Sequence, residues 1–312
     1  MSRALAAVTL AAVSIAGAGC GAVYRVMLAP YYRRVDVPAA RARLDVPYRQ
    51  DPDAHPSKHR LDLFLPEGQG WPTVVFVHGG TWTEGDKALD FGGADLYRNV
   101  GRFLAANGVG AAIVNYRLIP EVAWQEQPAD VSQAVSWVHR NIAAHGGDPE
   151  RLVLMGHSAG AHIASLVAVD RRWLERTGVP ASAIAGVIAV SGAGYDITDR
   201  RTYELLHHSP HWYARRFHTE SNPAWIYDAS PVRYVDASDP PFLLMFAQGD
   251  PAALRRQSLL LEKALQKAGV WTWVAPISGL SHSRILVQLA RPDRDPGQTV
   301  LRFLEQLSPR RR

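Results

Sequence analysis

The stretch Arg151-Leu152-Val153-Leu154-Met155-Gly156-His157-Ser158-Ala159-Gly160 decides the fold of this chain. Its first half is a continuous apolar run, which is typical of a strand buried inside a sheet. Residues 159–169 then predict a helix, and the Gly-x-Ser-x-Gly pentapeptide between the two elements has the strand-turn-helix context of a tight turn. Glycines two positions on either side of Ser158 avoid collisions in such a turn. We therefore predict that Ser158 adopts strained backbone angles and projects its hydroxyl over the sheet.

Strand-like and helical patterns alternate on both sides of this turn. The predicted strands are residues 61–65, 73–77, 111–114, 151–155, 184–190, 242–246 and 271–275, and the predicted helices are residues 96–107, 129–144, 159–169, 255–267 and 298–307. Alternation of this kind is the pattern of a mostly parallel sheet with helices on both faces. The sequence thus predicts one α/β domain over residues 45–308.

One long segment interrupts the alternation. Residues 192–240 show no clear periodicity and are rich in histidine and aromatic side chains. Long segments inserted into a compact domain are usually functional. We interpret this one as a cap-like insertion, or pocket wall, on the same domain.

The exposed serine needs a base, because a hydroxyl is a poor nucleophile at neutral pH, and the base needs a carboxylate to hold its tautomer. In this strand-turn-helix arrangement the expected chain order is serine, acid, histidine. His282, in the predicted loop after the last strand, is the only histidine that follows Asp250. Asp250 lies just past the carboxyl end of the strand 242–246, where such folds place their sites. Its competitors Asp236 and Asp239 precede that strand and should lie at its opposite end.

A third element would stabilise negative charge on a substrate oxygen. His78-Gly79-Gly80-Thr81-Trp82 begins where the strand 73–77 ends, and glycines there allow backbone N–H groups to approach a substrate closely. We assign the oxyanion hole to the N–H groups of Gly80, Thr81 and Ala159. Together with Ser158, Asp250 and His282 they form the predicted site.

These motifs together carry a family resemblance. The chain resembles the α/β-hydrolases and, within them, the branch of arylformamidases (kynurenine formamidases), isoprenylcysteine methylesterases and small carboxylesterases. The resemblance covers residues 45–308 and implies hydrolysis of esters or N-formyl amides without a cofactor. Its signatures are residues 78–82 (HGGTW), 85–87 (GDK), 115–117 (NYR), 146–149 (GGDP), 157–162 (HSAGAH), and Ser191-Gly192 with Tyr195-Asp196.

Two other side-chain groups invite functional interpretation. His207, His208, His211 and His218 cluster in the insertion, but no carboxylate pattern of metalloprotease type accompanies them, so we expect no metal. The pattern leaves open whether the aromatic side chains line an apolar pocket or pack the insertion against the sheet. This aromatic set comprises Trp82, Tyr195, Trp212, Trp225 and Tyr227.

Composition narrows the class of protein further. The 312 residues are 47% hydrophobic and 20% charged, which excludes a disordered chain, and one cysteine allows no intramolecular disulfide. The net charge of +5 comes from arginines spread along the chain without interleaved aromatics, so we interpret them as solvated surface and expect no nucleic-acid partner.

The N-terminus looks like an export segment. Residues 4–23 carry no charged side chain and follow Arg3, and Gly17-Ala18-Gly19-Cys20 resembles a bacterial lipobox. Cleavage after Ala16-Gly17-Ala18 and an uncleaved membrane anchor are the alternatives. Residues 1–24 are thus a predicted signal peptide or anchor and residues 25–44 a tether, which places the protein in a bacterial cell envelope, with membrane attachment through the N-terminus.

The predicted activity is hydrolysis of a carboxylic ester through an acyl-enzyme, with a small ester or amide as substrate. Two alternatives remain open at this point: hydrolysis of an N-formyl amide, and a non-catalytic envelope binding protein on a hydrolase scaffold.

Overall fold

The computed structural model describes residues 31–91, 94–208, 213, 217 and 224–307. The predicted signal peptide or anchor, with Cys20, lies outside these residues, as do Trp212, His211 and His218. The predicted α/β-hydrolase fold class is confirmed by a mostly parallel sheet that is covered by helices. The strands are β1 (Ala42–Pro47), β2 (Arg60–Phe64), β3 (Trp71–Val77), β4 (Asp90–Phe91), β5 (Ala94–Asp95), β6 (Gly110–Val114), β7 (Gly147–His157), β8 (Ile184–Val190), β9 (Phe242–Ala247) and β10 (Thr272–Ile277).

Eight strands form the main sheet, in the order β1-β2-β6-β3-β7-β8-β9-β10, and β4 pairs separately with β5. The pairs β1–β2 and β2–β6 are antiparallel, whereas all further neighbours, from β6 to β10, are parallel. Parallel strands end at one edge of the sheet, so the loops that follow β3, β7, β8, β9 and β10 meet there. That edge is where the sequence places its candidate residues.

Helices cover both faces of the sheet. Val75 and Val77 of β3 face one core and Val74 and Phe76 face the other, because successive side chains of a strand point in opposite directions. The helices are α1 (Leu96–Ala106), α2 (Glu126–Asn141), α3 (Ala159–Val169), α4 (Arg172–Glu175), α5 (Arg200–Leu206), α6 (Trp225–Asp228), α7 (Ala252–Lys267), α8 (His282–Leu289) and α9 (Asp295–Leu307), and single 3₁₀ turns lie at Ala39–Arg41, Ile142–His145, Ala181–Ala183 and Pro231–Arg233.

The two helical layers differ in their members. Residues of α2, α3 and α7 belong to one core, and residues of α1, α8 and α9 belong to the other. The central strands are therefore buried on both sides, which explains why their sequences are continuous apolar runs.

The structure departs from the sequence-based prediction near both ends of the domain. β1 begins at Ala42, inside the predicted tether 25–44, and residues from Tyr31 onward pack against the core. β1 pairs only with β2 and exposes three consecutive residues, so it lacks the apolar run that marks a buried strand. His282 was expected in a loop but is the first residue of α8, a helix too short to show a clear period.

Within the described residues, no helix is both long and apolar enough to cross a membrane.

Candidate active site

Ser158 lies in the sharp turn between β7 and α3. Its backbone has φ 56° and ψ −122°, a strained combination for a residue that is not glycine. The turn admits no side chain at Gly160, because a Cβ there would lie 2.1 Å from the carbonyl oxygen of Val77. A hydrogen bond from Ser158 N to the carbonyl oxygen of Val190, at 2.9 Å, ties the turn to the end of β8. Contacts with the ends of β3 and β8 therefore fix the backbone position of Ser158.

Asp250 and His282 meet at the same edge of the sheet. His282 Nδ1 lies 2.9 Å from Asp250 Oδ1, so the Nδ1–H group of the ring donates a hydrogen bond to the carboxylate. The other oxygen, Asp250 Oδ2, accepts hydrogen bonds from Ser191 Oγ at 2.7 Å and from Ala247 N at 3.0 Å. The Asp250 side chain is fully buried and that of His282 is 24% exposed. The acid is thus held from three directions, and Nε2 of the base forms no hydrogen bond with any described residue.

The competing carboxylates lie elsewhere. Asp236 pairs with Arg171, and Asp239 Oδ2 accepts the N–H of Asp236, both before β9 begins. Burial raises the pKa of Asp239 to about 6. The Asp239 carboxylate forms no hydrogen bond with His282. The structure brings Asp250 alone of the three to the histidine.

The loop after β3 lies against the serine. A Cβ placed on Gly79 would be 3.2 Å from Cβ of Ser158, and the Gly79 N–H donates to Tyr97 Oη at 3.1 Å. Gly80, Thr81 and Trp82 follow with φ of 128°, 51° and 65°, three consecutive left-handed residues. Gly80 is required there, since a Cβ would lie 2.0 Å from the Glu84 carbonyl oxygen.

Two of the predicted oxyanion donors are consistent with this geometry. The Gly80 N–H has no hydrogen-bond acceptor within the described part of the chain. Ala159 is the first residue of α3, and the first N–H groups of a helix have no acceptor inside the helix. Thr81 is part of the same turn, with its hydroxyl 3.2 Å from that of Thr83.

The loop is fastened from behind by buried groups. His78 stacks on Tyr116 with ring centroids 4.3 Å apart, and Tyr116 Oη donates to the His78 carbonyl oxygen at 2.9 Å. Burial lowers the pKa of His78 to about 4, so this imidazole is neutral at physiological pH. The carbonyl oxygen of Trp82 accepts from Gln127 Nε2 at 2.7 Å and from Ile119 N at 3.1 Å.

The GDK and NYR motifs meet beneath this loop. Asn115 accepts the N–H of Lys87 at 2.6 Å and donates to Asp86 Oδ2 at 2.8 Å. The buried ammonium of Lys87 lies 2.8 Å from Asp62 Oδ1, and Arg98 Nε lies 2.6 Å from the other oxygen of that carboxylate. Both motifs therefore support the loop that follows β3.

Most of the described aromatic candidates pack the insertion against the sheet. The ring of Trp82 lies 5.7 Å from that of Tyr213 and 5.0 Å from that of Phe217, and Phe217 stacks on Trp225 at 4.9 Å. We call Trp82, His162, Tyr213, Phe217 and Trp225 the aromatic cluster. Tyr195 is also buried, whereas Tyr227 is 46% exposed.

His162 joins the oxyanion loop to the insertion within this cluster. Its Nδ1 accepts from Trp82 Nε1 at 3.1 Å, and its Nε2 donates to the Ala229 carbonyl oxygen at 2.7 Å. Burial lowers the pKa of His162 to about 4, in keeping with a neutral link.

Of the histidines predicted not to bind metal, His207 and His208 lie within the described residues. No group of three or more His, Cys, Asp or Glu side chains in the described ranges is placed to hold a metal ion.

Two residues of the site, Ser191 and His157, were quoted as motif residues in the sequence but were assigned no role there. Ser191 follows β8 at the edge where the other loops meet, and that position was the available signal. His157 precedes Ser158, and its ring lies 4.8 Å from that of His282. Its position inside the turn motif was visible, but its partner is 125 residues away.

Comparisons with known proteins show that the chain is similar in sequence to esterases. The BD-FAE family model matches residues 61–265. Esterase LipQ of Mycobacterium tuberculosis is 30% identical over 215 residues, which is 67% of this chain and 49% of that protein. The isoprenylcysteine alpha-carbonyl methylesterase ICME of Arabidopsis thaliana is 32% identical over 248 residues, 74% of this chain and 55% of that protein. The chain spans about half the length of these curated relatives.

Solved structures agree on the fold. Esterase B of Lactobacillus rhamnosis, in a complex described as tributyrin phosphonate inhibited, superposes with a TM-score of 0.71 at 24% identity, covering 96% of this chain and 94% of that one. The resemblance to esterases and isoprenylcysteine methylesterases inferred from the motifs is thereby confirmed. By its match over residues 61–265 and its sheet topology, the chain belongs to the BD-FAE family of the α/β-hydrolase fold.

Proposed function

We propose that the chain is a serine hydrolase that cleaves a carboxylic ester through an acyl-enzyme. The observation that carries this proposal is the hydrogen bond of 2.9 Å between His282 and buried Asp250, at the sheet edge where Ser158 stands in a strained turn. The esterase names of the curated relatives support the same activity.

Each group has a defined task in the proposed reaction. Ser158 Oγ attacks the ester carbonyl while His282 Nε2 takes its proton, and Asp250 holds Nδ1–H and stabilises the imidazolium. The N–H groups of Gly80, Thr81 and Ala159 stabilise the oxyanion of the tetrahedral intermediate. His282 then protonates the leaving alcohol.

Water completes the cycle. It attacks the acyl-enzyme as His282 removes its proton, and collapse of the second tetrahedral intermediate releases the acid and returns the proton to Ser158. These residues supply every proton transfer, so the proposed cycle needs no cofactor.

The direct test compares the wild type with Ser158→Ala. We expect the wild type to hydrolyse p-nitrophenyl acetate and to be labelled by a fluorophosphonate probe, and the variant to do neither while melting at the wild-type temperature. A folded wild type that resists the probe and leaves the ester intact would instead favour a binding protein on a hydrolase scaffold.

The substrate is addressed by a panel on the wild type. It should contain p-nitrophenyl esters of increasing acyl length, a prenylated cysteine methyl ester, an acetylated sugar and N-formylkynurenine. Esters should be turned over with a higher kcat/KM than the formamide. The opposite order would replace the ester proposal with N-formyl amide hydrolysis.

We also propose that the protein is exported to a bacterial cell envelope and attached to the membrane through its N-terminus. The uncharged run of residues 4–23 and the small residues before Cys20 support this placement. Metabolic labelling with a fatty acid should mark the wild type but not Cys20→Ala. Unlabelled protein in the membrane fraction would point to an uncleaved anchor, and recovery of both proteins in the soluble fraction would contradict attachment.

A further inference from the structure

His157 touches the proposed base without taking part in the proton transfers. Its Nε2–H donates to the main-chain carbonyl oxygen of His282 at 3.1 Å, and the two imidazole rings are in contact. The residue next to the nucleophile thus holds the backbone of the base directly.

The same side chain lies against the oxyanion loop. A Cβ on Gly79 would be 2.9 Å from the His157 carbonyl oxygen and 3.2 Å from its Nδ1. His157 is therefore packed between the loop after β3 and the first residue of α8, and both carry proposed catalytic groups.

The protonation state of His157 fits a fixed neutral spacer. Burial, assisted by the nearby His282, lowers the pKa of His157 to about 3. Because Nε2 carries the proton that it donates, Nδ1 holds a lone pair, and this buried atom has no hydrogen-bond partner among the described residues. A buried unpartnered nitrogen is a cost to folding, so a functional reason is expected for it.

We propose that His157 is a positioning residue, which holds His282 through its main-chain carbonyl so that Nε2 of the base stays aligned with Ser158. This inference rests on the proposed ester hydrolysis. Asp250 holds the ring of His282 from one side, but a ring also turns when its backbone moves. The bond from His157 anchors that backbone where α8 begins, and the neutral ring adds no charge beside the imidazolium formed during turnover.

The test uses substitutions that separate the hydrogen bond from packing. In His157→Gln the amide nitrogen is as many bonds from Cβ as Nε2 of histidine and can donate to the same carbonyl. His157→Leu fills similar space without a donor, and His157→Asn is polar but too short to reach. His59→Gln is a matched control, because His59 is also buried but its ring bonds to Asp130 and to the N–H of His55 instead of to residues of the site.

The readouts are kcat and KM for p-nitrophenyl acetate, per active site titrated with a fluorophosphonate. We expect His157→Leu and His157→Asn to lower kcat by about tenfold to a hundredfold with KM within about twofold, as misalignment of a reacting group does. His157→Gln should recover most of kcat, and His59→Gln should keep the wild-type value.

Two results would overturn the inference. One is wild-type kcat in folded His157→Leu or, should that variant fail to fold, in His157→Asn. The other is a kcat for folded His157→Gln as low as that of the variants without a donor. An inactive wild type would instead refute the proposed function itself, so the two failures are distinguishable.

Discussion

Of two histidine–aspartate pairs within the described residues, only one is equipped for chemistry. In the pair at the sheet edge, one ring nitrogen of His282 is hydrogen-bonded to Asp250, and the His282 side chain is 24% exposed. In the other pair, His59 Nε2 lies 3.1 Å from Asp130 Oδ1 with both side chains completely buried, and His59 Nδ1 accepts the N–H of His55 at 2.8 Å.

The carboxylates differ in the same way. Asp250 accepts from one imidazole, one hydroxyl and one backbone N–H, and none of these donors belongs to an arginine or a lysine. Asp130 also accepts from the N–H and the guanidinium of Arg117, at 2.7 to 3.0 Å. A histidine–carboxylate pair therefore points to catalysis only when the second ring nitrogen is left for a substrate or nucleophile. The second pair is an internal brace.

The largest effect is expected from removing the base. His282→Ala should lower kcat for p-nitrophenyl acetate by about 10⁶-fold, because Ser158 then has no proton acceptor. The melting temperature should stay within a few degrees of the wild type, since the side chain is partly exposed. Steady-state kinetics with differential scanning fluorimetry checks both. Substantial residual turnover would mean that another group acts as the base.

A smaller loss is expected from Asp250→Asn. The Ala247 N–H requires an oxygen at the Oδ2 position, so the amide nitrogen of the substituted side chain must face His282 Nδ1. Because that nitrogen is a donor, it favours the histidine tautomer that carries its proton on Nε2. That tautomer cannot accept the serine proton, and kcat should fall by about 10⁴-fold. Because His282 accepts a proton from Ser158 and later from water, rapid-mixing kinetics should show that acylation and deacylation are both slowed. An Asp239→Asn variant is the control and should keep wild-type kcat.

The internal brace should respond in the opposite way. Asp130→Ala leaves the Arg117 guanidinium and the His59 proton without their buried acceptor, and such a loss costs about 3–5 kcal/mol in the free energy of unfolding. The kcat per titrated active site should change by less than about threefold. Urea denaturation and active-site titration measure the two quantities separately. If Asp130→Ala lowered kcat while the free energy of unfolding stayed unchanged, the distinction between the two pairs would be wrong.

The smallest effect concerns a histidine that pairs with no carboxylate. Burial holds the pKa of His162 at about 4, below its ordinary value of 6.5, so the unfolded chain binds the proton more readily. Its contribution to stability is complete above about pH 6.5, is lost as the pH falls toward 4, and changes no further below that. His162→Gln should flatten this part of the dependence. Urea titrations from pH 7 to pH 4 test it, and equal slopes in both proteins would contradict it.

Local patterns predicted the fold class and indicated the residues of the candidate site. Ser158 was predictable because its turn needs glycines at fixed offsets, and His282 because no other histidine follows Asp250. The central strands were predictable because burial on both faces leaves uninterrupted apolar runs.

The remainder depends on contacts that no local pattern records. Ser191 and Asp250 are 59 residues apart and meet only because β8 and β9 are neighbours in the sheet. The edge strand β1 has a mixed exposure pattern and is defined by its pairing with β2. His157 is visible in the motif, yet its proposed role depends on the distance to the carbonyl oxygen of His282 at the start of α8.

The aromatic cluster has a consequence for engineering. Rings of the insertion pack on Trp82, which directly follows Thr81 of the oxyanion loop. The insertion therefore cannot be replaced independently by the insertion of a relative. A graft that lacks matching rings would leave the indole uncovered and would release the turn that presents the Gly80 and Thr81 amides. Changes of substrate range in this scaffold are better sought by redesigning insertion and loop together than by swapping either alone.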